Sequence, residues 1–402
     1  MNIAKETPEY LDVSLGMHRD EKSWQLVGAI RDSEHDDLEV LEIGPGGGVA
    51  MQGLADSHLD RNGRGLEGLH LTTVELFSSP SEGLDRATED LEAQGAIVQH
   101  LQADAALGLP FQDESIDIVN VSAVFHEIYS YSGGKKALTK AVQEIDRVTA
   151  EGGALLYRDI YPVETSMHIP LEQEYPRGSW EQFVRKFLPH YLSQAQHPYN
   201  PDHVSLSGGD SVYGGTMPAG LAREVQRHYL TFRDAVIRNG ILGVRIDGDR
   251  YDEADWVRTE NGHEKKIYIV PNGTPYEDGD LPIQYDRYGS FASASDFDAY
   301  VDQQLVRFFE DLDMNRPEVV ELFGGWLGRE GVESYVYGSA SEVTDLLRAG
   351  GQLDADGVRY EITDAKDYVV AERDYYTNYL RAALGRCALA DRKLMMTFRK
   401  VA

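Results

Sequence analysis

Four of the five residues from Gly44 to Gly48 are glycine, and the segment Glu42-Ile43-Gly44-Pro45-Gly46-Gly47-Gly48 follows directly on an apolar run. Glycine lets a backbone turn sharply and lets its N–H groups approach a ligand closely, which is the chemistry of a nucleotide-binding loop. Counted from Gly44, the dinucleotide fingerprint would need its last glycine at position 49, where the chain has Val49. The spacing here is instead 44, 46 and 48. Without a ligand, the same residues would simply make a tight strand-to-helix turn.

A second group of residues suits acid–base chemistry. Ser122-Ala123-Val124-Phe125-His126-Glu127 follows another apolar run. The unperturbed pKa of a histidine lies near neutrality, so His126 can act as a general base. It can equally bond a nearby carbonyl and hold the loop. Arg158 and Asp159 end a further apolar run, with Tyr161 just beyond. Arg158 can fix a substrate carboxylate, or it can pair with Asp159 and order the loop. Asp159 as a metal ligand would need a cluster of acids, and none is spaced for it. His197, His203 and His228 also lack metal-ligand spacing, so structural roles and no metal site are expected. Cys387 is the only cysteine. It excludes an internal disulfide and reads as a buried structural thiol rather than a nucleophile.

These residues need elements to position them. Strands are expected at 38–43, 69–76, 97–102, 116–124 and 154–160 from their apolar, β-branched character. Helical spacing occupies 22–31, 81–94 and 135–148, and a helix begins at 49–54. The run at 116–124 is mostly apolar and is expected to be buried on both faces. Gly152-Gly153 should turn the chain into the fifth strand. Such alternation predicts a parallel sheet covered by helices on both sides. The glycine loop, His126 and Arg158-Asp159 then all fall at strand carboxyl ends, where open α/β sheets bind ligands.

From about 162 to 335 the texture changes, becoming richer in aromatics, Pro and Gly. Helices are expected at 180–191, capped by Ser179, and at 220–239 and 295–312. A hairpin is expected at 256–270, turning at Asn261-Gly262. The α/β pattern resumes with a helix at 341–349, a strand at 358–362, a helix at 368–384 and a strand at 393–400. The expected architecture is α/β, a doubly wound, mostly parallel sheet with a large inserted, mainly helical second domain. Residues 1–161 and 336–402 form the sheet domain and 162–335 the insertion. Trp326 to Tyr335, charged and aromatic, leads back into the sheet domain, and such junctions commonly carry substrate sites.

The glycine spacing at 44, 46 and 48, preceded by Glu42, resembles the class I S-adenosylmethionine-dependent methyltransferases. That family places an acid at the end of its second strand to bind the ribose hydroxyls, and Glu75 matches. It places an Asp near the adenine amino group after its third strand, and Gln102-Ala103-Asp104-Ala105 matches. The resemblance covers 36–161 well and about the last sixty residues loosely. It implies S-adenosylmethionine as cofactor, held by Glu42, Gly44, Gly46, Gly48, Glu75, Asp104, Ala105 and Ser122. It leaves His126, Glu127, Arg158 and Asp159 as the catalytic candidates beside the transferable methyl. The chain lacks the Asn-Pro-Pro-aromatic pattern of many enzymes that methylate nucleobases or glutamine.

Acids outnumber bases 68 to 38, giving a formal net charge of -30. That balance disfavours a phosphate backbone or an anionic membrane as partner. The N-terminus is too polar for a secretory signal, no apolar run is long enough to span a bilayer, and a cytoplasmic setting is expected. The expected function is methyl transfer to a small molecule, as in natural-product tailoring. The alternative is a methyltransferase-fold enzyme that performs a non-methylating reaction, such as cyclisation or elimination. A non-catalytic partner subunit is a third reading, opposed by the intact set of Glu42, Gly44, Gly46, Gly48, Glu75 and Asp104.

Overall fold

The computed structural model describes residues 19–61, 63–76, 81–161, 168–170, 178–209, 212–238, 252–258, 264–269, 284–286, 294–352, 358–368, 389 and 393–401. They group into two compact units, residues 1–163 with 334–368 and 393–402, and residues 164–333 with 369–392. The sequence had given all of 336–402 to the first unit. Leu389 accounts for part of the difference: its N–H donates to Gln226 Oε1 at 2.8 Å, within the second unit.

The first unit is built on seven strands. They are β1 (Leu38–Ile43), β2 (Leu69–Glu75), β3 (Ile97–Gln102), β4 (Ile116–Ser122), β5 (Thr149–Ile160), β6 (Tyr360–Tyr368) and β7 (Lys393–Lys400). Their order across the sheet is β6-β7-β5-β4-β1-β2-β3. The first five strands run parallel, and β7 is antiparallel to both β5 and β6. Among the described residues, six helices accompany them: α1 (Arg19–Arg31), α2 (Val49–Asp56), α3 (Glu82–Glu92), α4 (Phe125–Ser132), α5 (Gly134–Val148) and α6 (Ala340–Arg348).

Side chains alternate across each strand, so every strand feeds two layers. Val40, Ile118, Ala154 and Leu156 pack with Leu26 and Ile30 of α1, Met51 and Leu54 of α2, and Ala87 and Leu91 of α3. Leu41, Ile43, Val119, Val121, Leu155 and Tyr157 pack on the other face with α4, α5 and α6. Each fully buried Leu or Ile in these layers contributes about 1.5–3 kcal/mol. The sheet order reverses at β1, which lies between β2 and β4. That reversal opens a crevice at the carboxyl ends of β1 and β4.

Three local expectations are corrected in this unit. The fourth strand stops at Ser122 rather than at 124, because Ala123 turns to φ +59 and Val124 becomes the N-terminal boundary of α4. The fifth strand begins at Thr149, and Gly152-Gly153 lie inside it. Gly152, at φ +74, marks an irregularity where the register with β4 slips between Ile116 and Ile118. The strand expected at 358–362 runs from Tyr360 to Tyr368, so position 368 ends a strand. The rest of the helix expected at 368–384 lies outside the described residues, as does Cys387.

The second unit contains the helices Gly178–Gln194, Ala219–Arg238, Ala294–Asp313 and Pro317–Arg329. The last was not anticipated from the sequence. Two three-stranded antiparallel sheets accompany them, one centred on Val212–Pro218 and one on Glu264–Ile269. The strands of the expected hairpin pair as Asp252–Arg258 with Glu264–Ile269, while its Asn261-Gly262 turn lies outside the described residues. Phe183, Phe187, Phe232 and Trp326 form a stacked and edge-on aromatic core. Ser179 does not cap its helix. Asp302 accepts from the Gly178 and Ser179 N–H groups instead, and the Ser179 hydroxyl also meets Asp302 and Tyr229. Among the described residues no helix is long and apolar enough to cross a membrane.

Candidate active site at the carboxyl edge of the sheet

The glycine segment leaves β1 with three residues in the left-handed region: Gly44 at φ +69, Gly46 at φ +52 and Gly48 at φ +72. Two of these positions also have no room for a side chain. A Cβ on Gly44 would lie 2.6 Å from Val124 Cγ2, and one on Gly48 would lie 2.8 Å from Leu84 Cα. Conformation and space therefore both demand glycine. Gly48 then opens α2 with no side-chain cap.

Glu42 lies one residue before the end of β1 and is 3% exposed. Burial pushes its carboxyl group up to about 7, while Asn120 and the Lys22 charge pull it partly back. Asn120 is its register partner on β4. Hydrogen bonding with the Asn120 amide lowers the Glu42 pKa, while by strict geometry Glu42 Oε2 and Asn120 Nδ2 have no hydrogen-bond partner among the described residues. Ser122 Oγ, two residues along the same face of β4, is also buried without a hydrogen-bond partner among the described residues. Leaving such groups unsatisfied costs about 1–3 kcal/mol each, and these three lie on one face of β1 and β4. Their chemistry, a carboxyl, an amide donor and a hydroxyl, fits the amino and carboxylate groups of an amino-acid moiety.

Glu75 ends β2, and its Oε1 accepts from the Leu76 N–H at 2.9 Å. The Ala103 N–H donates to the Glu75 carbonyl at 3.0 Å, which ties the ends of β2 and β3 together. Asp104 follows in an Asx turn, its Oδ1 accepting from the Ala106 N–H at 2.8 Å, and Ala105 beside it is buried. Glu42, Gly44, Gly46, Gly48, Glu75, Asp104, Ala105 and Ser122 thus lie at the ends of four successive parallel strands on one edge of the sheet.

The same edge carries the acid–base group. Ala123, at φ +59, turns the chain out of β4, and its N–H donates to the Arg158 carbonyl at 2.6 Å. Backbone strain of this kind in a non-glycine residue costs roughly 1–3 kcal/mol and collects at functional sites. The turn starts α4 and sets His126 against Asp159 of β5. Both are buried. His126 Nδ1 lies 2.8 Å from Asp159 Oδ1, and the His126 backbone N–H donates to Asp159 Oδ2 at 3.1 Å. The Ile160 N–H donates to Oδ1 at 2.8 Å and the Tyr337 hydroxyl to Oδ2 at 3.2 Å. Burial alone would raise the Asp159 pKa. Attraction to His126 and the hydrogen bonds from His126 and Ile160 outweigh it and hold the group below its ordinary value.

The Arg158–Asp159 pair considered from the sequence does not form. The two are adjacent on a strand and point to opposite faces, and the partners of Asp159 are His126, Tyr337 and backbone N–H groups. Arg158 is buried and is the register partner of Ser122, on the Asn120 side of the sheet. Glu127, half-buried, lies in the first turn of α4. Asn120, Tyr157 and Tyr337 were missed. Asn120 had a signal, as a polar residue inside an apolar strand. Tyr337 had none.

Residues 41–157 match the family model described as a methyltransferase domain. No curated protein matches the sequence. Solved structures resemble it at low identity. The CurJ carbon methyltransferase is 15% identical over 37% of this chain, with TM-score 0.28, and the match spans only 35% of the CurJ chain. The [4+2]-cyclase SpnF is 12% identical over 94% of this chain and 79% of its own, with TM-score 0.36. The CcbJ methyltransferase from Streptomyces caelestis is 11% identical over 96% and 90%, with TM-score 0.35. Residues 41–157, which carry β1 to most of β5, are thus similar to a methyltransferase domain.

Proposed function

We propose that the protein methylates a small molecule at the carboxyl edge of its sheet, using S-adenosylmethionine. The observation that supports this reading is that Glu42 Oε2, Asn120 Nδ2 and Ser122 Oγ, all buried and without hydrogen-bond partners among the described residues, lie on one face of β1 and β4 next to the left-handed glycines. Glu42, Gly44, Gly46, Gly48 and Ser122 would hold the amino-acid part of the cofactor. Glu75 would take the ribose hydroxyls, since a carboxylate accepts two hydrogen bonds from a vicinal diol. Asp104 and Ala105 would meet the adenine. When bound, the cofactor supplies a methyl group made electrophilic by its sulfonium.

The task of the chain is then to align the acceptor and exclude water. Val124, Phe125 and Tyr129 give the edge a dry wall. His126 is the general base, and Asp159 balances the charge His126 gains. Glu127 and Arg158 are the further candidates for holding the acceptor, with Arg158 suited to a carboxylate. The acidic net charge supports a small-molecule acceptor of the kind modified in natural-product tailoring over a nucleic acid.

A radioactive methyl group on the cofactor tests the proposal. Label passing from S-adenosylmethionine into a small-molecule fraction, with release of the demethylated cofactor, is expected. Label found only in protein or nucleic acid would contradict it. The second reading, a non-methylating cyclisation or elimination, draws on the His126–Asp159 pair, which is complete without any cofactor. Conversion of an acceptor without release of the demethylated cofactor would favour that reading.

A further inference from the structure

Two cations are buried near one another at the carboxyl edge. Arg158, two residues before the end of β5, is 2% exposed, and Lys393, the first residue of β7, is 4% exposed. Arg158 is the register partner of Met395, and Lys393 that of Ile160, the last residue of β5. Residues two apart on a strand share a face. Arg158 and Lys393 are therefore diagonal neighbours on one face of adjacent strands. Leu394, Met396 and Phe398 pack into the layer that contains α4, so the two cations face the other way. Asp159 meets His126 on the α4 side. The edge is thus polar from face to face, with a carboxylate on one side and two cations on the other.

The cationic face carries further donors. Ser122 is the register partner of Arg158, and Asn120 lies two residues before it on the same face. Ser122 Oγ and Asn120 Nδ2 are buried with no hydrogen-bond partner among the described residues. Four groups able to donate therefore run across β4, β5 and β7. Glu42 lies across Asn120 on that face, and burial pushes its carboxyl group up to about 7, so it carries only part of a negative charge at neutral pH. Burying a Lys or Arg is costly unless an anionic or polar group meets it. Among the described residues of the sheet unit, the other buried example is Lys400, at the opposite edge, where Asp146 and two carbonyls meet it. Arg158 and Lys393 also interact within the protein, so a ligand adds to contacts they already have.

We infer that Arg158 and Lys393, with Ser122 beside them, form a subsite for a carboxylate on the acceptor, so that the molecule methylated is an organic acid. The inference rests on the methyl-transfer reading. A guanidinium fork takes a carboxylate through two parallel hydrogen bonds, and an ammonium adds a point charge beside it. The cofactor's own carboxylate is the other source of the same chemistry. The strand order favours the acceptor: β5 and β7 lie on the far side of β4 from β1, β2 and β3, whose ends are assigned to the cofactor. Arg158 and Asp159 are consecutive, so the anion subsite and the acid–base pair share the end of one strand.

The test uses acetate and benzoate as carboxylate probes, with benzamide as the uncharged control, on protein saturated with the demethylated cofactor. Saturation fills the cofactor's carboxylate site beforehand. Calorimetry should show binding of a carboxylate probe and none of benzamide. Lys393→Met should weaken that binding by about tenfold or more, the fold-change of a lost charge-assisted hydrogen bond. Lys393→Arg, which keeps the charge, should stay near the wild type. Where Lys393→Met does not fold, Arg158→Gln takes its place and should show the same loss. Affinity for S-adenosylmethionine should stay within about twofold in Lys393→Met.

Benzoate and benzamide binding alike, or no binding of either carboxylate, would overturn the inference. So would carboxylate affinity unchanged in the variants. Carboxylate binding seen only without the cofactor, or a tenfold loss of S-adenosylmethionine affinity in Lys393→Met, would give the cations to the cofactor instead. Carboxylate binding that depends on Lys393 in a protein that binds no S-adenosylmethionine would sink the methyl-transfer reading and leave the anion subsite standing.

Discussion

At the edge where the parallel strands begin, Lys400 is 4% exposed, and its Nζ donates to the carbonyls of Asp146 and Thr149 at 2.6 and 2.8 Å. The Asp146 carboxylate lies 3.6 Å from that ammonium and 3.1 Å from the Arg359 guanidinium. At the edge where the same strands end, Glu42 is 3% exposed, and among the described residues its Oε2 has no hydrogen-bond partner, nor do Asn120 Nδ2 and Ser122 Oγ. One fold thus buries charge in two ways. The first cluster pairs its opposite charges and pins the last strand to α5 and β5, although Asp146 Oδ1 itself has no hydrogen bond among the described residues. The second holds no opposite charge against Glu42 at hydrogen-bond distance among the described residues, and it is the cluster assigned to the cofactor in the proposed function. On the proposed function, the contrast separates residues that hold the sheet together from residues that hold the cofactor.

The comparison breaks most visibly at His126. His126→Ala should lower turnover by about 10²–10⁴-fold, the range for a lost general base, with cofactor affinity near that of the wild type. Turnover and affinity falling together would return His126 to a loop-ordering role.

Next in size is the closed cluster. Lys400→Met should cost about 3–5 kcal/mol in urea denaturation, because it leaves a buried carboxylate short of a partner. Arg359 still faces Asp146, which favours the lower end. Cofactor affinity should not change. A large loss of affinity would mean that the two edges are coupled.

Glu42 gives the third and sharpest contrast. Its folded pKa is about 7, above the ordinary 4.5. The folded state therefore keeps a proton that the unfolded chain gives up. Stability contributed by this group is full below about pH 4.5 and is lost as pH rises toward 7, by about 3 kcal/mol on the linkage relation. Glu42→Gln should flatten that decline in urea midpoints measured from pH 5 to 7.5. An identical slope in both proteins would show that Glu42 is not the group involved.

Much of the sheet was legible because its signals are local. The strands Leu38–Ile43, Ile97–Gln102 and Lys393–Lys400 have the bounds their apolar patterns predict. The glycines at 44 and 48 are required by φ and by space, as their spacing suggested. What stayed hidden depends on distant residues. Tyr337 lies 178 positions from Asp159, and nothing near Tyr337 in sequence announces the contact. Ser179 seemed a helix cap because its type and place are right, yet Asp302, 123 positions away, takes that role. The end of β4 was misjudged because Ala123 adopts a left-handed φ that alanine rarely takes, so its residue type gives no warning.

The measurement closest to the central claim is calorimetric titration of the wild type and Glu75→Ala with S-adenosylmethionine and, separately, with its demethylated product. The open carboxyl edge predicts one site for both ligands in the wild type. It predicts weaker binding by about 1.5–3 kcal/mol in Glu75→Ala, the range for hydrogen bonds to a charged group. A wild type that binds neither ligand, or a Glu75→Ala variant with unchanged affinity, would contradict the assignment of that edge to the cofactor.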